Sequence, residues 1–132
     1  MDRLFLDANV LFSAAYRSNA GLLQLWKIPD VTLCASHYAI GEARVNLAER
    51  EQRDRLVMLT NALQKFDATH GKLPQEISLP EKDVPIMLAA MEARATHLLT
   101  GDVRHFARYF RKKIGGVLIL LPGEYLRVYR AR

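Results

Sequence analysis

Four apolar runs, each too short for a helix and each ending at a turn or capping residue, constrain this chain more than any other feature. They are Leu4–Leu6, Val31–Ala35, the Leu98-Leu99 pair of 97–100, and Val117–Leu121. Runs of two to five apolar residues bounded by turn residues read as buried strands. Between them lie longer stretches with helical spacing. The first begins near Asn9, and a second holds Leu22, Leu23, Leu25 and Trp26 and stops at Pro29-Asp30. Ser36 is placed to cap a helix from His37. The chain is then helix-rich to about Phe66, as two helices meeting near Arg50, with Leu56, Leu59 and Leu63 on one face. Residues 70–81, with Gly71, Pro74 and Pro80, form the one clear loop. Helices over about 83–95 and 103–112 lead into the last two strands, and a final helix follows Pro122. Strands alternating with helices predict βαβ units and an α/β fold with a parallel sheet.

The length of 132 residues suits a single domain spanning 1–132, with half the residues hydrophobic. Lys and Arg exceed Asp and Glu by 19 to 14, giving a net charge of +5, which is compatible with a polyanionic partner, nucleic acid first. The single cysteine, Cys34, lies inside an apolar run and reads as a packed strand residue. Asp2 and Arg3 interrupt any leader-like apolar segment, and Val117–Leu121 is too short to span a bilayer. A cytoplasmic protein with no membrane partner is the expectation.

Carboxylates recur at the ends of these elements. Asp7 follows the first strand and Asp102 the 97–100 strand; Glu42 sits about one and a half turns into the helix after Ser36; Asp83 opens the apolar helix. Each has an ordinary structural reading: Asp7 and Asp102 as caps or turn residues, Glu42 as a surface glutamate, Asp83 as an acid favoured by the helix dipole. Together they say more. Right-handed crossovers place the ends of all parallel strands on one edge of the sheet, so the four acids can converge there. Two carboxylates about 4 Å apart repel by about 4 kcal/mol at an effective dielectric of 20. Four such groups would strain a domain's whole stability unless protons or a cation neutralised them. Oxygen donors select a hard ion, Mg²⁺ or Mn²⁺. The histidines His37, His70, His97 and His105 are scattered, with no zinc spacing. No P-loop or nucleophile-elbow motif occurs.

The segments "FLDANVLFSA" (5–14), "SHYAIGEARVNL" (36–47), "KDVPIMLAAMEARATHLLTGDVRHF" (82–106) and "GVLILLPGEYL" (116–126) resemble the PIN-domain family of metal-dependent nucleases. The resemblance implies a three-layer α/β/α sandwich around a parallel sheet of about five strands. It assigns Asp7, Glu42, Asp83 and Asp102 as catalytic metal ligands for Mg²⁺ or Mn²⁺, with Asp7 and Asp102 innermost. Asn9 and Thr100 fall at polar supporting positions. Ala8 replaces a hydroxyl residue common in the family. His105 stands where some members carry a further acid, so it either touches substrate or lies idle. The implied activity is hydrolysis of phosphodiester bonds in RNA, as an endoribonuclease leaving a 5′-phosphate and a 3′-hydroxyl. Many such proteins are VapC-type toxins held by a small antitoxin, and many dimerise.

An acidic centre repels a phosphate backbone, so cations must surround it. Arg104, Arg108, Arg111, Lys112 and Lys113, on and after the 103–112 helix, are the candidates for nucleic-acid binding, with Arg44 and Arg50 opposite. Arg127, Arg130 and Arg132 read as solvent-exposed. Two other functions compete: a non-catalytic nucleic-acid-binding module, which would lose the acids, and a metal-dependent phosphatase, which would gain nothing from longer RNA. A receiver-like domain would carry a lysine after a late strand, where Leu121-Pro122 has none.

Overall fold

The computed structural model describes residues 1–69 and 71–130, and each apolar run named above is a strand in it. The fold is α/β. Strands β1 (Asp2–Leu6), β2 (Val31–Ala35), β3 (Gln64–Lys65), β4 (His97–Leu99), β5 (Lys113–Ile114) and β6 (Val117–Leu120) form one sheet in the order β3-β2-β1-β4-β6-β5. Five of them are parallel; β5 alone runs antiparallel, against β6. Leu4, Phe5 and Leu6 are all fully buried, as are Leu98 and Leu99. Unbroken burial along a strand, rather than alternation, means that both faces of the sheet are covered. Cys34 is buried in β2 as a packed residue, and burial pushes its thiol pKa up.

The strand order moves one way from β1 through β2 to β3 and the other way from β4 to β6. Right-handed crossovers therefore put α1 (Ala8–Tyr16), α2 (His37–Asn46) and α3 (Arg50–Asn61) on one face and α4 (Val84–Glu92) on the other. Helix α1 buries Val10, Leu11, Ala14 and Ala15. The Arg55 guanidinium donates to the Ala15 carbonyl at 2.6 Å, satisfying an end of α1 from α3. The 21–27 segment is a 3₁₀ helix, Gly21–Lys27, and its Trp26 indole donates to the Leu59 carbonyl on α3 at 3.0 Å. Helix α5 (Pro122–Arg130) returns towards the start of the sheet, where the Tyr125 hydroxyl donates to Asp2 at 2.6 Å. Among the described residues no helix is long and apolar enough to cross a membrane. His70, the Arg130 side chain and Arg132 lie outside what is described.

Two expectations from the sequence are corrected. The helix-rich stretch ends at Asn61, not Phe66, because Gln64–Lys65 pairs with Cys34–Ala35 as β3. Two exposed polar residues carry no strand periodicity. Residues 103–112 form no α-helix. They make successive turns, with the Tyr109 amide bonded to the Phe106 carbonyl and the Lys112 amide to that of Tyr109. Arg111 adopts a left-handed φ of 67°, and its amide turns to the Ile119 carbonyl at 2.7 Å, which draws the chain down beside β6 instead. The parallel strands number five, as expected, and Gly115 (φ 57°) and Gly116 (φ 85°) close a two-residue hairpin that adds β5 as an antiparallel sixth. Two successive positive φ values are what such a tight hairpin needs, and glycine supplies them without strain.

That hairpin generates a prediction. A Cβ on Gly115 would sit 2.8 Å from the Met91 Cε, whereas one on Gly116 meets nothing within 4 Å. Gly116→Ala should cost about 1–2 kcal/mol from left-handed strain alone, and Gly115→Ala should cost more, because Met91 must also move. Urea denaturation of both variants checks the order; equal or negligible losses would mean the turn does not have this geometry.

Candidate metal centre

The site grows from the pairing of β1 with β4, with Leu6 opposite Leu99. The Asp7 amide continues that ladder, donating to the Leu99 carbonyl at 3.1 Å. The next residues of both strands therefore leave the sheet side by side. Asp7 is 3% exposed. Its Oδ1 accepts from the Ala8 amide at 2.7 Å, and its carbonyl accepts from Val10 and Leu11, so it caps α1. Its Oδ2 accepts from the fully buried Thr100 hydroxyl at 2.7 Å and from the Asn9 amide at 3.1 Å. Asn9 also accepts from the Gly101 amide at 2.7 Å, binding the two loops together. Thr100 accepts in turn from the Asp102 amide at 3.1 Å.

Asp102 is a capping residue as well. Its Oδ1 accepts from the amides of Arg104 (3.2 Å) and His105 (3.0 Å), which sets the turn that replaces the expected helix. That turn brings the His105 ring back over the acids. The ring Nδ1 lies 2.7 Å from Asp102 Oδ2 and 2.8 Å from Asp83 Oδ2. Neither approach is aligned as a hydrogen bond: Asp83 Oδ2 and His105 Nδ1 are buried and without a hydrogen-bonded partner. Asp83 ends a short 3₁₀ turn, Glu81–Asp83, immediately ahead of α4, whose start is set by Pro85 in its first turn. Glu42 comes from α2, whose start is fixed by the Ser36 hydroxyl accepting from the Ala39 amide at 3.0 Å.

Asp7, Glu42, Asp83 and Asp102 all line one cleft of about 440 Å³, with Ala8, Asn9, Phe12, Ala43, Asn46 and Lys82. The charges are uncomfortable there. Burial raises the Asp7 pKa, with the Asp83 charge adding to it against the hydrogen bonds from Thr100 and Ala8. Burial raises Glu42, with Asp7 adding and Lys82 opposing. Asp83 is raised by burial too, with His105 opposing and Asp102 adding. Clustered oxygen donors with raised pKa values, together with a buried carboxylate oxygen lacking an aligned donor, suit a divalent cation. Among the described residues, the tightest metal-competent group is Asp83, Asp102 and His105, whose ligand atoms all lie within 4.8 Å of one another. Sequence reading undervalued His105, because its importance comes from a turn that helical periodicity conceals. It also passed over Lys82, the cation in the cleft wall, which stands directly before Asp83 in the quoted 82–106 segment.

The basic residues do not form one helical stripe. Arg104, Arg108 and Lys112 are exposed on the turns after Asp102. Arg111 is bonded to Glu124 at 2.9 Å. Lys113 pairs with Leu118 on the descending hairpin, towards the sheet's other edge, where it lines a second cleft with Arg94 and His97. Arg44 and Arg50 are exposed, and Arg50 approaches Asp54 of its own helix at 3.8 Å.

The chain is similar in structure to a VapBC2 complex from Rickettsia felis bound to a DNA fragment from its promoter. The TM-score is 0.68 at 16% identity, covering 89% of this chain and 96% of the other. It is also similar to FitAB bound to an IR36 DNA fragment, with a TM-score of 0.53 at 19% identity, covering 90% and 94%. No family model and no curated protein matches the sequence. Likeness at this identity shows the fold alone, so the assignment to the PIN-domain nucleases made from the motifs is withdrawn. The strings that suggested it are strand–turn–acid patterns at the carboxyl edge of a parallel sheet, where many α/β proteins of different families place polar residues.

The raised carboxylates have a consequence for stability. Between the ordinary carboxylate range and their raised values, the folded protein binds more protons than the unfolded chain. Stability is therefore lost as pH rises through that window; the lowered pKa values of Asp67 and Glu124 act oppositely, at lower pH. In chelator, the melting temperature should fall between mildly acidic and neutral pH. Asp83→Asn should flatten that fall and melt higher at neutral pH, by about 3–5 °C for each kcal/mol of repulsion relieved. A variant that melts lower than wild type with an unchanged slope would show that the acids do not strain the fold.

Proposed function

We propose that this chain, acting as one domain over 1–132, is a metal-dependent ribonuclease that hydrolyses phosphodiester bonds in RNA. The observation that carries the proposal is the convergence of Asp7, Glu42, Asp83 and Asp102 in one cleft, with Lys82 in its wall. Those four carboxylates would hold Mg²⁺ or Mn²⁺. When bound, such an ion polarises a phosphate and makes water a competent nucleophile near neutral pH.

The chain's own residues do the positioning. The Thr100 hydroxyl and Asn9 amide fix the Asp7 carboxylate in one orientation, so it needs no rearrangement to act as a ligand. Asp102 is held by two backbone amides through Oδ1, which leaves Oδ2 turned to Asp83 and His105. The Lys82 ammonium offers a phosphate an attractive charge among the acids, and Phe12 gives the cleft an apolar wall. Arg104, Arg108 and Lys112, close after Asp102, are proposed to hold the flanking phosphates, with Arg111 held by Glu124 and Lys113 too far down the hairpin to contribute equally.

The likeness to VapBC2 and FitAB assemblies supports a further part of this reading, that the chain is the toxin of a toxin–antitoxin pair restrained by a small antitoxin protein; a homodimer is proposed with it.

The test is cleavage of single-stranded and structured RNAs with Mn²⁺ or Mg²⁺, with and without chelator, and mapping of the ends. Cleavage should require the ion, and Asp102→Asn should reduce it at least about a hundredfold while the domain stays folded. Activity in chelator would remove the metal from the mechanism. Hydrolysis of small phosphate monoesters with no gain from RNA would make the protein a phosphatase. Binding of RNA without cleavage under any ion would make it a nucleic-acid-binding module.

A further inference from the structure

His105 is not among the residues that line the cleft, but its ring touches two of the four acids that do. Its Nδ1 is 2.7 Å from Asp102 Oδ2 and 2.8 Å from Asp83 Oδ2, from two different elements. A ring N–H serves one in-line acceptor well. Here two carboxylate oxygens flank the same nitrogen and neither is aligned with it, while Asp83, 6% exposed, keeps that oxygen buried without a hydrogen-bonded partner. The three ligand atoms lie within 4.8 Å of one another, a spacing that one cation can bridge. The backbone holds the ring there, because the His105 amide is tied to Asp102 Oδ1 at 3.0 Å and the next residue, Phe106, is fully buried.

We infer that His105 is a metal ligand through Nδ1, with Asp83 Oδ2 and Asp102 Oδ2, so that the centre is a mixed nitrogen–oxygen site selecting Mn²⁺ over Mg²⁺. The inference rests on the metal-centre reading above and sharpens it. Imidazole binds first-row transition ions well, whereas Mg²⁺ demands oxygen donors and gives up water reluctantly. A neutral ring coordinating through Nδ1 carries its proton on Nε2. His105→Asn presents an amide oxygen near the same place and converts the group to oxygen donors alone.

The experiment uses the full chain loaded with Mn²⁺, read by pulsed electron paramagnetic resonance, with Mn²⁺ and Mg²⁺ affinities measured by calorimetry. Wild type should show ¹⁴N modulation of imidazole character and bind Mn²⁺ more tightly than Mg²⁺. In His105→Asn the modulation should vanish, and the Mn²⁺/Mg²⁺ affinity ratio should fall at least about tenfold. Should that variant fail to fold, the wild-type modulation decides the question, with His105→Gln as a second substitution. Bound Mn²⁺ without ¹⁴N modulation, or an affinity ratio unchanged in a folded variant, would overturn the inference while leaving the carboxylate centre intact. Failure of the wild type to take up Mn²⁺ at all would overturn both.

Discussion

The parallel pairing of β1 with β4 is the constraint on which the rest of the molecule depends. It is the point where strand order reverses, so the connections leaving these two strands go to opposite faces of the sheet and a crevice opens between them. Asp7 and Asp102 emerge at that crevice because each follows a buried apolar strand directly or after a short turn. The hydrogen bond from the Asp7 amide to the Leu99 carbonyl fixes their relative height. Hydrophobic burial of Phe5, Leu6, Leu98 and Leu99 thus sets the separation of groups that are themselves unfavourable to bury. Slipping β4 by one residue against β1 would turn its side chains to the opposite face and move Asp102 away from Asp7.

Capping a local turn and facing the cleft are not alternatives for the acids here. Asp7 uses Oδ1 for the first amide of α1 and Oδ2 for Thr100 and Asn9; Asp102 uses Oδ1 for two turn amides and presents Oδ2 to Asp83 and His105. A carboxylate has enough lone pairs for both tasks. The capping bonds hold each side chain in one rotamer, so the facing oxygen is aimed without further support. Asp83 has no such capping bond at Oδ2, which instead faces the His105 ring nitrogen at 2.8 Å.

Much of this was legible in the residues. The apolar runs at 4–6, 31–35, 98–99 and 117–120 define strands because nothing else accommodates short buried segments between helices, and Ser36 begins α2 where its hydroxyl can serve the Ala39 amide. Elements made by pairing rather than by pattern were not legible. The two-residue β3 exists because β2 offers an open edge, and β5 because Gly115-Gly116 folds the chain onto β6. The four acids could be placed on one edge from crossover handedness, but their shared cleft required β1 and β4 to be neighbours. The helix expected over 103–112 misled most. Val103, Phe106 and Tyr109 are spaced by three, which suits a succession of tight turns as well as a helix, and Val103 is exposed.

That last difference changes how charge is distributed around the cleft. A helix over 103–112 would have spread Arg104, Arg108, Arg111 and Lys112 along one rod near the acids, with Lys113 at its end. Instead the chain turns twice and descends. Arg104 and Arg108 stay near the carboxyl edge with the acids, Arg111 is spent on Glu124, and Lys113 is carried towards Arg94 at the opposite edge. A net charge of +5 therefore does not translate into a single basic groove. Positive charge is divided between the two edges of the sheet, and at the acidic one it is concentrated in few groups, so under the proposed function a cation held in the cleft would have to contribute more to binding a phosphate than the basic composition suggests.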